Sequence, residues 1–266
     1  MPKARKTPFD GHVRFAIVTV NFSTTKWLKL LLLTLSEQDA LDRVSDIIVV
    51  DNASRDGGRI LIRDLAARVS RITLVENDRF LSHARGMRMG IRALDAIDSC
   101  ANVVLSIDTD VIFIRPDTLS ELGRAFEHGT SLAGEMRHGL YDVPEAQASF
   151  VAVRRDAYAR RDVMPWVNHG APSYWMQRSI RRAGLTVHDF PIYRAGYALH
   201  RGRGGVRAAK TFRALSSYAS VSNDEPHFMG VPNGEATWRK VEAQWSTLVD
   251  PSSSDAWIDE LSRRLR

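Results

Sequence analysis

The sequence predicts an α/β protein: an open, mostly parallel sheet flanked by helices, with a helical extension at its C-terminal end. Three observations carry this. Short apolar runs rich in β-branched residues recur at 15–21, 46–50, 72–75 and 103–113. Helix-like stretches separate the first three of them. The runs at 15–21, 46–50 and 103–113 meet polar or acidic residues, Asn21, Asp51-Asn52 and Asp108/Asp110. Strand–helix–strand at this spacing is the mark of parallel βαβ units, whose ligands bind outside the carboxyl ends of the strands.

Residues 15–21 (FAIVTVN) read as a buried strand, and the following stretch places Trp27, Leu28, Leu31, Leu32 and Leu35 on helical spacing. The next strand, from Asp46, stops at Asp51-Asn52 and a turn-rich Ala53-Ser54-Arg55-Asp56-Gly57-Gly58. A helix over about 59–69 leads to the strand at 72–75. Residues 103–113 (VVLSIDTDVIF) then put two carboxylates, Asp108 and Asp110, inside an apolar run. On an extended strand, side chains two apart share a face, so the pair can converge on one ligand. Burying both without compensation is costly, and a hard divalent cation, Mg2+ or Mn2+, is the natural compensator. Two solvated acids at a strand end are the plain alternative. Residues 147–158 give a strand and then a helix, and 174–184 a further helix.

In order and spacing, residues 13 to 205 resemble a family 2 glycosyltransferase of the GT-A fold, the nucleotide-sugar-dependent type. The matching pieces are Ile17–Asn21, Ile48–Gly57, Ser106–Asp110, the segment from Glu76-Asn77 through Ala84-Arg85-Gly86 to Gly90-Ile91, and Gly184 to His200. The resemblance implies roles. Thr19, Val20 and Asn21 would line the nucleotide pocket, and Asp51 would hold the base or ribose. Arg85 would reach the nucleotide or its diphosphate, where a guanidinium suits phosphate oxygens. Asp108 and Thr109 would contact the donor, and Asp108, Asp110 and His200 the metal. Asn21 equally suits a turn, Arg85 a solvated helix face, and His200 a plain loop.

The chain also departs from the family. In inverting members an acidic pair precedes the Arg-x-x-x-x-Gly helix and supplies the general base; residues 168–184 contain no acid. A proton acceptor would have to come from His169, whose imidazole titrates near neutral pH, or from Glu135 or Asp142. A retaining reaction, in which the leaving diphosphate takes the proton, is another route. Arg79 stands where the family usually has a glycine before the aromatic Phe80. His83 and Arg88 add positive charge nearby.

At 266 residues, 44% of them hydrophobic, the chain can bury a full core. The expected organisation is a basic tail over 1–12, a glycosyltransferase domain over 13–205 and a helical extension over 206–266. Within the domain, 13–115 is the donor half and 116–205 the acceptor half. Trp166 and Tyr174 on the acceptor side offer aromatic faces of the kind on which sugars stack. The longest apolar run, 27–35, is broken by Lys29 and too short to span a bilayer. The N-terminal segment has no apolar core of a secretory signal. A single cysteine, Cys100, excludes an internal disulfide and fits a reducing cytoplasm.

The net charge is +6. Arg201 and Arg203, set among glycines, would grip the donor diphosphate from a mobile loop. Anchoring to the inner face of an anionic membrane is a second use of the charge. Nucleic acid is disfavoured, since no reading motif accompanies it. The sequence thus points to metal-dependent transfer of a sugar from a nucleoside-diphosphate sugar to an acceptor: a glycan, a lipid-linked sugar or a small molecule. A nucleotide-sugar-binding subunit without a base is the non-enzymatic rival. A nucleotidyltransferase would show a glycine-rich loop after the first strand, and 21–25 has none. For the extension, a basic helix is expected over 206–218, a loop over 220–234, and two helices with one apolar face apiece over 235–248 and 255–265.

Overall fold

A computed structural model describes residues 9–139, 142–168, 171–213 and 221–265. In chain order residues 13–115, the expected donor half, contain β1 (Phe15–Asn21), α1 (Thr25–Leu35), β2 (Val44–Asn52), α2 (Gly58–Arg68), β3 (Ile72–Asn77), α3 (His83–Ala96), β4 (Val103–Ile107) and β5 (Val111–Phe113). Residues 116–205, the expected acceptor half, contain α4 (Thr118–Glu127), β6 (Leu132–Gly134), β7 (Met136–Arg137), β8 (Glu145–Ala146), β9 (Phe150–Arg154), α5 (Arg155–Tyr158), α6 (Tyr174–Arg182), β10 (Val187–Asp189) and β11 (Ala198–His200). Four helices follow: α7 (Gly204–Thr211), α8 (Gly234–Gln244), α9 (Ser246–Val249) and α10 (Ser254–Arg264).

Seven strands form one sheet in the order β10-β6-β9-β4-β1-β2-β3. β3, β2, β1 and β4 are parallel, while β9 runs antiparallel to both β4 and β6. The expected βαβ reading holds, and Asn21 pairs with Asp51, and Asn52 with Asn77, in register at one edge of the sheet. Alternation along the strands sends Phe15, Ile17, Ile47 and Val49 to one face and Ala16, Val18, Ile48 and Val50 to the other. Both faces are covered, which is why these strands are apolar throughout. The first face packs α1, α2, α4 and α10 through Leu28, Leu32, Ile62, Leu122 and Trp257. The second packs α3 and α6 through Met87, Ile91, Met176 and Ile180. Each fully buried side chain of this size contributes about 1.5–3 kcal/mol. α3 lies close on the sheet at Gly90, where an added Cβ would stand 2.4 Å from Val18 Cγ1.

The extension shares the core of the donor half: Trp257, Ile258 and Leu261 join the α1/α2 cluster, and Trp257 Nε1 donates to the Lys29 carbonyl at 3.4 Å. Its helices begin and end close to the expected positions, with α8 and α9 in place of one helix over 235–248. The expected helix over 206–218 is α7 up to Thr211; residues 214–220 lie outside the described set. No helix among the described residues is long and apolar enough to cross a membrane.

One expectation is corrected. Residues 103–113 do not form a continuous strand: β4 stops at Ile107, a turn carries Asp108, Thr109 and Asp110, and β5 resumes at Val111. The Val111 N–H closes the turn on the Asp108 carbonyl at 3.2 Å. The carboxylates converge because the chain turns there, and the pleat of a strand has no part in it.

Candidate active site

β5 pairs antiparallel with β11, setting His200 opposite Val111. That pairing brings the end of the acceptor half back onto the acidic turn. His200 Nε2 lies 3.1 Å from Asp110 Oδ1 and 3.7 Å from Asp108 Oδ2. One ligand atom from each of Asp108, Asp110 and His200 falls within 4.8 Å of the others. The Asp108 N–H donates to the Ser149 carbonyl at 3.0 Å, tying the turn to the approach of β9.

Asp110 is buried and its outer oxygen, Oδ2, accepts the Gly204 N–H at 3.0 Å, while its carbonyl accepts the Arg201 N–H at 2.9 Å. Only glycine fits at 204, since a Cβ there would lie 2.7 Å from Asp110 Oδ2 and 2.9 Å from Trp27 Cζ3. Burial by itself pushes the Asp110 carboxyl up. The His200 charge and hydrogen bond, the Gly204 N–H and the Arg201 charge outweigh it and hold Asp110 below the usual carboxylate range. Burial pushes the His200 imidazole down, but Asp110 and Asp108 outweigh it, so His200 is raised. Two carboxylates and an imidazole around one point are a fitting donor set for Mn2+ and, through the oxygens, for Mg2+.

Around the triad is a cavity of about 60 Å3, lined by Val20, Phe22, Thr24, Asn52, His83 and Gly205 as well as the acidic turn. Phe22 packs on Phe80 and under Ala208 and Ala209 of α7. Thr109 Oγ1 is 2.7 Å from Thr24 Oγ1. The Asn21 amide oxygen accepts from the Thr24 N–H and hydroxyl, and its amide nitrogen donates to the Ser54 hydroxyl at 3.1 Å. Asp51 is fully buried; Oδ1 accepts from Arg59 Nε at 3.1 Å and the Ser54 N–H at 3.2 Å. Thr19 is buried with its hydroxyl unbonded among the described residues.

The remaining expected residues are spread around this centre. Arg85 is exposed on the first turn of α3. Arg201 is buried, its guanidinium 4.5 Å from the Trp27 ring centroid, and burial holds its pKa below the ordinary value. Arg203 is exposed at the left-handed position before α7, with φ of 64°. Trp166 is buried in the second core, edge-on to His83. Tyr174 packs edge-on to Trp175 and donates its hydroxyl to Asp142, which also pairs with Arg178 at 3.0 Å. The Tyr174 bond, aided by the Arg178 charge, holds Asp142 below the carboxylate range. Glu135 Oε2 accepts the N–H groups of Tyr193 and Arg194 at 2.6 and 3.1 Å, and Oε1 lies 3.9 Å from Arg194 Nη1. His169 lies outside the described residues.

Sequence reasoning left His83 as general positive charge and did not single out Phe22, Thr24 or Gly204 for the site. His83 Nε2 stands 3.8 Å from Asp108 Oδ1, buried and without a hydrogen-bond partner among the described residues. The signal for Gly204 was present as the glycine-rich run after His200.

The chain matches the profile of glycosyl transferase family 2 over residues 16–180. No curated protein matches it by sequence. Solved structures match it in fold. A mannosyltransferase from Pyrobaculum calidifontis, in complex with GDP-mannose and Mn2+, is 16% identical with a TM-score of 0.55, covering 99% of this chain and 79% of its own. Glucosyl-3-phosphoglycerate synthase from Mycobacterium tuberculosis, in complex with Mn2+, UDP and phosphoglyceric acid, is 17% identical with a TM-score of 0.50, covering 79% and 80%. Residues 1–349 of S. aureus TarS are 11% identical with a TM-score of 0.52, covering 95% and 90%.

Proposed function

The chain belongs to glycosyl transferase family 2 and has the GT-A fold, and from that premise we propose that it moves a hexosyl or deoxyhexosyl unit from a nucleoside-diphosphate sugar to an acceptor. The single observation carrying this reading is the convergence of Asp108, Asp110 and His200 beyond the carboxyl ends of parallel strands. These three residues would hold Mn2+ or Mg2+. A bound cation supplies Lewis-acid stabilisation of the negative charge on a leaving diphosphate.

The chain's own groups do the rest. Thr19, Val20, Asn21, Asp51 and Thr109 shape the nucleotide side, with Arg85 at its rim. A ligand of this size needs a pocket of several hundred Å3, against about 60 Å3 in this structure. The element to move is α7, which covers Phe22 and contributes Gly205 to the cavity. Gly202, Gly204 and Gly205 supply the hinge. Arg201 and Arg203, beside that hinge, would meet the diphosphate as α7 returns.

On the acceptor side, Tyr174 borders the space an incoming hydroxyl group would occupy, while Trp166, 1% exposed, backs His83 from the core. Glu135 takes the proton in this reading. Its Oε2 is committed to the 193–194 turn, which fixes the carboxylate and leaves Oε1 to work. His169 is the second candidate. The single exposed cysteine, Cys100, supports a reducing cytoplasmic setting.

The test is thermal stability of the full chain with a panel of nucleoside diphosphates and nucleotide sugars, in Mn2+, Mg2+ or EDTA. Ligands that bind the native state raise its apparent stability by mass action. The reading expects a metal-dependent shift with one nucleotide family, lost in Asp110→Asn, followed by turnover of that donor. Absence of any shift with folded protein overturns it; a shift without turnover identifies a binding subunit instead.

A further inference from the structure

A second cavity, of about 430 Å3, adjoins the first. Thr24 lines both, and so does α7: Gly205 faces the triad's cavity, while Arg207, Ala208 and Thr211, with Phe212 just beyond the helix, face the larger one. The other walls come from the start of α1, the start of α2 and, from the extension, Val249 and Ser254. Nothing in the proposed transfer reaction uses this space.

Its charge is one-sided. Three cationic side chains line it, Lys26, Lys29 and Arg207, against one acid, Asp56. Asp56 is spent on helix ends, with Oδ2 accepting the Thr25 N–H at 2.9 Å and Oδ1 the Gly58 N–H at 3.2 Å. Lys26 is paired to Glu242 at 2.5 Å. That leaves Lys29 and Arg207. Lys29 is only 3% exposed, in a helix otherwise rich in leucine. Among the described residues its ammonium has one hydrogen-bond acceptor, the Asp250 carbonyl at 3.1 Å, lies 5.6 Å from the Trp257 ring centroid, and has no ion pair. The Asp250 carboxylate adds attraction at longer range but accepts from the Ser252 N–H at 2.8 Å. An ammonium offers three donors, and a buried charge calls for an opposite one. Burial holds the Lys29 pKa below its ordinary value, as expected for a cation short of counter-charge. Arg207 is exposed on α7 and forms no ion pair among the described residues. The wall also carries Trp27, Leu61 and Phe212, with the hydroxyl side chains Ser23, Thr24, Thr25, Thr211 and Ser254.

We propose that this cavity is a binding site for a small phosphate monoester with an apolar body, its phosphate between Lys29 and Arg207 and its body against Trp27, Leu61 and Phe212. A dianion matches two cations better than a carboxylate does, and charge-assisted hydrogen bonds to phosphate are the strong ones. The volume suits a small molecule, since ligand pockets run to about 300–1,000 Å3. The occupant would brace α7 where Gly204 N–H holds Asp110.

The experiment is thermal stabilisation and titration calorimetry of the full chain with phenyl phosphate, inorganic phosphate and phenol, all in EDTA. The expected result is saturable binding of phenyl phosphate, at least tenfold tighter than inorganic phosphate or phenol. That binding should be weakened at least tenfold in Arg207→Glu and Lys29→Met. Arg207 is exposed, so Arg207→Glu decides the matter where Lys29→Met fails to fold. No saturable binding, or equal binding by Arg207→Glu and wild type, overturns the proposal. Because metal is chelated throughout, the result is independent of whether nucleotide sugars bind.

Discussion

The two halves of this molecule spend their polar residues differently. In the donor half, polar side chains stand at the ends of parallel strands and are held by short local loops: Asn21 by Thr24, Asp51 by Ser54 and Arg59, Asn52 by the Leu81 N–H. In the acceptor half the strands are two to five residues long, and its charges hold one another. Asp142 is tied to Tyr174 and Arg178, Glu145 to Arg137, and Glu135 to the 193–194 backbone. A sheet end presents its side chains whatever follows, whereas an acceptor site built on loops depends on where distant segments meet. The strand ends of the first half thus hold their polar side chains by local contacts, whereas the triad needs β11 of the second half to return to β5.

That contrast can be tested by substitution. The largest effect belongs to Asp110→Asn, which keeps the shape but removes a charge from the triad. Transfer should fall about a thousandfold or more, the several kcal/mol a Lewis acid supplies, in steady-state assays with saturating metal. Retained activity would mean the donor half does not work through this carboxylate. Next comes Glu135→Gln, whose amide oxygen can still accept the Tyr193 N–H. Here kcat should drop about a hundredfold while donor affinity stays unchanged, separating the halves; a loss of donor affinity instead would assign Glu135 to scaffolding. A smaller effect is expected for Gly204→Ala, where the new Cβ, 2.7 Å from Asp110 Oδ2, must push α7 away. Loss of a supporting hydrogen bond to a metal ligand costs about ten- to a hundredfold in metal affinity, readable by Mn2+ titration. The smallest effect is that of pH. His200 is raised, so below its pKa it carries a proton facing Asp110, which an incoming cation must expel. Mn2+ affinity should fall as pH drops through that pKa, by up to about tenfold per pH unit, and level off above it. A flat profile would remove His200 from the ligand set.

Legibility followed the same division. β1 was legible residue for residue because FAIVTVN is buried on both faces, and α1 because its leucines keep helical spacing. The acidic pair was legible as a candidate metal site, although its geometry was not. A turn at 108–110 and a strand pairing across 85 to 89 residues, β5 with β11, create the triad. Local periodicity carries no trace of such a pairing; His200 came from family resemblance alone. Gly204 was visible as a glycine, but its partner Asp110 is a long-range contact. Trp166, read as an acceptor-side ring, is a core residue against His83, since aromatic type does not by itself tell core from site. The extension's helices were legible from their apolar faces; that α10 completes the core over α1 and α2 was not.

The most direct test of the triad as a metal centre is titration of the wild-type chain with Mn2+, following the signal of the free ion by electron paramagnetic resonance, with and without GDP or UDP. One Mn2+ bound per chain, tightened by one of the two nucleotides and lost in both Asp110→Asn and His200→Gln, is the result this account predicts. Mn2+ that stays free in the presence of folded wild-type protein and either nucleotide would contradict it.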